Sequence, residues 1–418
     1  MGKKTLIFDA SVIAENLTAG SGRSGIYFVA YNILKQLIKS NMFDMSLFCK
    51  DLYNKDFFVF VEKEFGKDIK IYFGNRYIKL LKKLSDLDKK LRKSHHNILK
   101  LLLNIFVRKP IYFIGSIQRP VNCDVFLSPL RVMPKQIKAK QKYIILYDAI
   151  PLLFPQYYPE MRLKKYWFYD LVKYIKSKPN CKYFAISKNT KSDFIKLLNM
   201  NHGDIIVISL AANDNFYQEK NKAKIKKVRE KYGIPNGKKY MFSLCTLEPR
   251  KNLIRAVKTF VEFIKKNKID DMVFVLGGAH WDNFIGRLET EIKDFGEYKD
   301  KILRAGYVAD EDLAALYSGA LFFVYTSQYE GFGLPPLEAM KCGCPVITSN
   351  NSSLPEVVDD AGQIIDWDSD EQHIAAYEKY YTDEKYRNEV AQKGLKRSKQ
   401  FSWQKTVDVI INAIKKDV

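Results

Sequence analysis

Glu330 and Glu338 flank a glycine loop in the stretch Tyr329 to Asn350, which reads YEGFGLPPLEAMKCGCPVITSN. Two carboxylates cannot hold a phosphate, since like charges repel, but each is a good acceptor for sugar hydroxyls. Between them Gly331 and Gly333 let a ligand approach the main chain, and Pro335 and Pro336 suit the first turn of a helix. The free N–H groups and the positive dipole end of that helix face the loop, an arrangement that takes a phosphate. Acid, anion site, acid is the layout that hexose, diphosphate and ribose would need in a nucleotide sugar. Arg250 and Lys251 add two cations within Thr246 to Asn252 (TLEPRKN), where Arg can grip two phosphate oxygens and Lys supplies a point charge. Asn252 is placed to cap a helix starting at Leu253. Asp148 follows YIILY, at a strand's carboxyl end where ligands of open α/β sheets gather, although helix capping would also explain it. Ser187 after YFAI is expected to cap the next helix first and to touch a ligand second.

These residues need elements to hold them. Leu321 to Thr326 reads as a strand before the loop, the helix runs to about Lys341 until Gly343 ends it, and Pro345 to Thr348 begins another strand. Further strands are expected at Thr5 to Phe8, Met45 to Cys49, Tyr143 to Tyr147, Tyr183 to Ile186, Tyr240 to Leu244, Met272 to Leu276 and Gln363 to Ile365, and the first domain is expected to end near Ile206 to Leu210. Helical patterns alternate with them. This predicts an α/β chain of two doubly wound domains facing across a cleft, residues 1–212 and 213–400, and 418 residues suffice for two cores.

The run EGFGLPPLEAMKCGCPVI resembles the E-x7-E signature of retaining GT-B glycosyltransferases, in particular glycosyltransferase family 4. The likeness covers nearly the whole chain, strongly from Tyr240 to Gly362 and loosely before Tyr143. It implies the GT-B fold and transfer of a sugar from a nucleotide diphosphate donor to a hydroxyl, with retention of configuration and with neither metal nor other cofactor. In such a protein Arg250 and Lys251 would stabilise the leaving diphosphate, Glu330 would hold the sugar and Glu338 the ribose. The backbone around Gly331, Phe332, Gly333 and Leu334 would meet the phosphates, the segment at Val308 the base, and the loop ending at Gly25 the donor phosphate or the acceptor. Asp148 would lie near the acceptor hydroxyl, and Tyr147 stands where many relatives carry a histidine that touches the donor sugar. A terminal helix from Phe401 to about Lys415 would cross back onto the first domain. General likeness to bacterial mannosyltransferases points to GDP-mannose, and to a glycan or lipid-linked acceptor in cell-surface polysaccharide synthesis. The rival readings are a GT-B epimerase, which would turn over donor without acceptor, a phosphorylase, which would usually need a pyridoxal lysine, and a basic scaffold, which leaves the glutamates unexplained.

The formal net charge of +22 calls for an anionic partner or surface. From Glu62 to Arg119 there are 15 Lys or Arg against 5 Asp or Glu. Apolar residues at Tyr77, Leu80, Leu81, Leu84, Leu87 and Leu91 make one helical face, and Ile98 to Phe106 is denser still. A helix on an anionic membrane surface and a solvated helix packed on its own domain both fit. No recognised nucleic-acid motif accompanies the charge. Gly20, Gly22 and Gly25 match G-x-G-x-x-G, but the match begins about ten residues beyond the first strand, which is wrong for a dinucleotide fold. Asp366 and Asp368 spell the D-x-D of a metal site, yet turn and capping duty explain them after a strand. Six scattered cysteines suggest neither disulfides nor zinc. With no signal peptide and no long apolar run, the expectation is a cytoplasmic protein, peripheral on the inner face of the membrane.

Overall fold

The computed structural model describes residues 2–18, 25–50, 55–74, 107, 120–158, 167–278 and 282–417. The amphipathic runs Tyr77 to Leu91 and Ile98 to Phe106, and the glycine loop before Gly25, lie outside the described residues.

Two parallel sheets organise the chain. The first contains β1 (Lys4–Asp9), β2 (Phe43–Cys49), β3 (Lys70–Phe73), β4 (Val121–Ser128), β5 (Ile137–Leu146), β6 (Lys182–Ala185) and β7 (Ile205–Val207), in the order β3-β2-β1-β4-β5-β6-β7. The second contains β8 (Lys239–Leu244), β9 (Met272–Gly277), β10 (Ile302–Gly306), β11 (Phe322–Tyr325), β12 (Val346–Ser349) and β13 (Gln363–Ile365), in the order β10-β9-β8-β11-β12-β13. Strands such as MVFVLG and FFVY are buried along their whole length, as a sheet covered by helices on both faces requires. The order in which strands are added reverses between β1 and β4 in one sheet and between β8 and β11 in the other. At each such point a crevice opens at the strands' carboxyl ends.

Six helices position the features discussed below: α1 (Gly25–Ser40), α2 (Lys188–Leu198), α3 (Leu253–Lys266), α4 (Leu334–Lys341), α5 (Leu354–Val358) and α6 (Trp403–Asp417). In α3, Leu253, Ala256, Val257, Phe260, Val261 and Ile264 are buried at steps of three and four, the stripe that packs a helix on a sheet. α6 buries Trp403, Val407, Ile410 and Ile414 and packs against α1. Its end is fixed to the first sheet: the Asp417 carboxylate accepts from Tyr143 Oη at 2.6 Å and pairs with Lys182. The terminal helix thus crosses back onto the first sheet and runs to Asp417. Among the described residues no helix is long and apolar enough to cross a membrane. All six cysteines are free.

Four strands escaped the sequence reading: β3, β4, β7 and β10. In β4, Asn122 and Asp124 interrupt the apolar pattern, but Asp124 Oδ2 accepts from Thr5 N at 2.9 Å and Oδ1 from Lys140 Nζ at 2.7 Å. A cross-strand partner makes the acid tolerable there. β3 is short and only half-buried at the sheet's edge. The expected cap at Asn252 is also corrected. α3 does begin at Leu253, but Asn252 has φ 58° and makes no side-chain cap, and its Nδ2 donates to Trp367 O at 2.7 Å. A left-handed residue cannot aim its side chain at the helix N–H groups as an extended one does. Asp366 Oδ1 accepts from Asp368 N at 3.0 Å in a turn, while Asp368 pairs with Arg255 at 2.6 Å. The capping expected of this pair falls to Ser369, which accepts from Gln372 N at 3.2 Å.

Candidate active site

The crevice between β8 and β11 gathers the charged residues singled out in the sequence. Beyond β8, Pro249 to Lys251 form a tight 3-10 turn, which presents Arg250 and Lys251 together. Beyond β11, the loop carries Glu330. Its Oε1 lies 2.9 Å from Arg250 Nη1, 2.6 Å from Lys251 Nζ and 2.9 Å from Tyr325 Oη. Glu330 and Arg250 are both buried. Burial pushes the Glu330 carboxyl up, but Arg250 and Lys251 outweigh it and hold it down at about 2. Glu248 completes the cluster at 2.7 Å from Arg250 Nη2. Sequence reasoning passed over Glu248 and Tyr325. Adjacent cations that must be buried require counter-charges, and Glu248 inside TLEPRKN was the available signal.

The glycine loop leads into α4. Gly333 has φ 113°, a left-handed conformation that favours glycine, and Pro335 and Pro336 follow in the first turn. Since prolines carry no N–H, the donors facing the loop are those of Leu334 and the residues before it. Phe332 is buried and turns its ring edge-on to Phe401, with centroids 6.1 Å apart. Val308 is buried with its side chain toward Gly277, which leaves its backbone for a base, and Tyr307 beside it is 64% exposed.

Glu338 is half-buried, its Oε2 3.4 Å from Tyr317 Oη. Burial pushes its carboxyl up to about 8. From the ordinary value of 4.5 to about 8, the folded protein therefore keeps a proton that the unfolded chain has lost, and stability falls as pH rises through that window. Glu338→Gln cannot ionise. Its melting temperature is expected to gain on the wild type as pH rises through the window, by about 5 °C at the upper end. Thermal melts across a pH series check this, and a gap that stays constant would contradict it.

The first domain meets this loop directly. Asp148 lies at the carboxyl end of β5, and its Oδ1 accepts from Ile150 N at 3.0 Å, so the capping role is real. Burial raises its carboxyl, while Arg250 and Lys251 across the cleft lower it and Glu330 raises it. It therefore belongs to the same electrostatic cluster. Tyr147 is buried, and its Oη has no hydrogen-bond partner among the described residues. Ser187 Oγ caps α2 by accepting from Thr190 N at 3.0 Å and lies 2.8 Å from Gly331 O. Its second contact is thus the other domain's glycine loop. Gly25 is exposed at the start of α1, away from any contact that identifies it with the cluster.

With this geometry in view, residues 224–397 match the family Glycosyl transferases group 1. The chain is 34% identical over 231 residues to O-antigen chain mannosyltransferase B of Escherichia coli, covering 55% of this chain and 59% of that protein. It is 28% identical over 269 residues to the serotype-specific mannosyltransferase WbdA of Escherichia coli, covering 64% of this chain and 32% of that protein. The matched part therefore spans less than two thirds of these relatives' length. The whole fold resembles Anabaena Alr3699/HepE in complex with UDP and glucose, with TM-score 0.67, 13% identity and coverage of 99% and 100% of the two chains. It also resembles WaaG, a glycosyltransferase involved in lipopolysaccharide biosynthesis, with TM-score 0.61, 14% identity and coverage of 98% and 99%. The chain has the two-domain GT-B fold, and residues 224–397 within it match the glycosyl transferases group 1 family.

Proposed function

We propose that this chain is a retaining, metal-independent mannosyltransferase that moves mannose from GDP-mannose to a hydroxyl of a glycan or lipid-linked acceptor in cell-surface polysaccharide synthesis. The observation that carries the reading is the Arg250, Lys251 and Glu330 cluster, buried at the switch point of the second sheet beside the start of α4 and facing Asp148 across the cleft. Arg250 and Lys251 take up the charge of the departing diphosphate, and the N–H groups of Gly333 and Leu334 add donors fixed in advance. Glu330 faces the sugar, where it responds to positive charge growing at the reacting carbon, and Glu338 accepts from the ribose. Asp148 orients the acceptor hydroxyl. Mannose is favoured because the relatives named above are mannosyltransferases.

A panel of nucleotide sugars screened by thermal stabilisation, followed by product analysis with the best donor, tests this. The expected product is a glycoside with the donor's anomeric configuration, formed equally well in EDTA. Donor turnover without an acceptor would replace transferase by epimerase, and activity lost to EDTA and restored by Mg2+ would end metal independence. The basic segment from Lys63 to Arg119 is assigned to the anionic inner face of the membrane, where each cation contributes on the order of 1 kcal/mol, screened by salt. Co-sedimentation with anionic but not neutral vesicles, weakening as salt rises, is the expected result. Equal binding to both, or to neither, would remove that assignment.

A further inference from the structure

Glu330 is bracketed by the cap and first two turns of one helix of the other domain. On one side, Tyr329 Oη donates to Asp193 Oδ2 at 2.6 Å and accepts from Asn189 Nδ2 at 2.7 Å. On the other, Gly331 O accepts from Ser187 Oγ at 2.8 Å, with Thr190 Oγ1 3.1 Å away. All four partners belong to the cap and first turns of α2. Glu356 of α5 reaches back, its carboxylate accepting from Lys188 N at 2.9 Å and Asn189 N at 2.7 Å, so that a second-domain acid caps a first-domain helix. Within its own domain the loop is tied at the backbone. Arg250 Nη1 donates to Tyr329 O, Ser352 Oγ accepts from Glu330 N at 3.0 Å, and Ser353 Oγ donates to Glu330 O at 2.9 Å.

A carboxylate that must face a sugar within a few tenths of an ångström is held by the groups that fix its backbone on both sides. Here half of those groups sit on the other domain. We propose that the first two turns of α2 set the position of Glu330, with Tyr329 and Asp193 as positioning residues that make the carboxylate competent only while the two domains are in contact. The proposal rests on the reading of Glu330 as the residue that meets the transferred sugar. Tyr329 and Asp193 themselves touch neither donor nor acceptor in this scheme. Their hydrogen bond joins residues 136 positions apart in the chain. It therefore exists only where the domains meet, and its loss should leave each domain's own core unchanged.

Tyr329→Phe, Asp193→Ala, the double variant and Asp193→Asn test this in the full chain, by steady-state kinetics and small-angle scattering. Either of the first two is expected to lower kcat about tenfold, or about 1.4 kcal/mol, with donor KM moved less than about threefold. The double variant should be no worse than the singles, because both remove one interaction. Asp193→Asn should recover most of the rate, since an amide oxygen still accepts from the phenol. A kcat for Tyr329→Phe within about twofold of wild type, or single effects that multiply in the double variant, would overturn the proposal. If the wild type transfers no sugar from any nucleotide sugar, the functional reading falls. The domain contact is then read by scattering alone: Tyr329→Phe and Asp193→Ala should enlarge the donor-free protein, and unchanged scattering would overturn it.

Discussion

Glu330→Gln is expected to lower kcat about 10- to 1000-fold while tightening the binding of a nucleoside diphosphate about tenfold. The two effects share a cause. The Glu330 carboxylate occupies both cations, at 2.9 Å from Arg250 and 2.6 Å from Lys251, and Glu248 takes the other arm of Arg250 at 2.7 Å. Glu330 and Glu248 thus balance the two cations. A diphosphate entering the site must therefore compete with Glu330 for Arg250 and Lys251, and a neutral glutamine removes the competitor. In the proposed reaction the same change removes the negative charge that would face the reacting carbon, a contact stronger in the transition state than in the ground state, so the loss falls on kcat, at about 1.4–4 kcal/mol. Removing one member of a buried ion pair also costs stability, on the order of 3–5 kcal/mol when nothing else compensates. Glu248 remains with Arg250, so the variant should fold, with a lower melting temperature verified by circular dichroism before any kinetics. Calorimetric titration with the diphosphate of the preferred donor, beside steady-state rates, decides the matter. An intact kcat, or diphosphate binding that weakens, would reject this role for Glu330.

Gly331→Ala is expected to abolish transfer, by at least about 100-fold, while leaving nucleoside diphosphate binding within about threefold of wild type. The backbone of Gly331 is not in the left-handed region, so alanine is not strained within the second domain. The obstacle lies across the cleft. A Cβ at this position would lie 2.3 Å from Tyr147 O and 3.0 Å from Asp148 Cβ, both in the first domain. The domains must then part by about an ångström, and misplacement on that scale in a two-sided site costs roughly two orders of magnitude in rate. The second domain keeps Arg250, Lys251 and the start of α4, and with them its hold on a diphosphate. Scattering should show a larger particle and the melt should change little. A rate close to wild type would mean that the contact with Tyr147 is not part of the working arrangement.

Much of this molecule was legible in one dimension. The strands at Lys4–Asp9, Lys239–Leu244, Met272–Gly277 and Gln363–Ile365 announce themselves as short runs rich in apolar residues, most fully at Met272–Gly277, which is buried along its whole length and has no room for polar residues. α4 starts and stops where its prolines and Gly343 require. β4 was not legible, since its acid is satisfied by Thr5 and Lys140, and Thr5 is 119 residues away. Asn252 looked like a cap from its position before Leu253, but the tight turn at Pro249 to Lys251 sends its backbone left-handed and its amide to Trp367.

By itself the sequence determined which residues are candidates for the chemistry: glutamates eight positions apart around a glycine loop, adjacent cations after a strand, and an acid at another strand's end. Residue type and local spacing suffice for that, because a loop and a helix start are set by neighbours a few positions away. Tertiary structure alone decided how those residues are partnered. Glu330 meets Lys251 across 79 positions of chain, Gly331 meets Ser187 across 144, and Lys188 meets Glu356 across 168. Hydrogen bonds and ion pairs fall off within a few ångströms, so such pairings follow from how two sheets face each other, and no local pattern of residues encodes that distance.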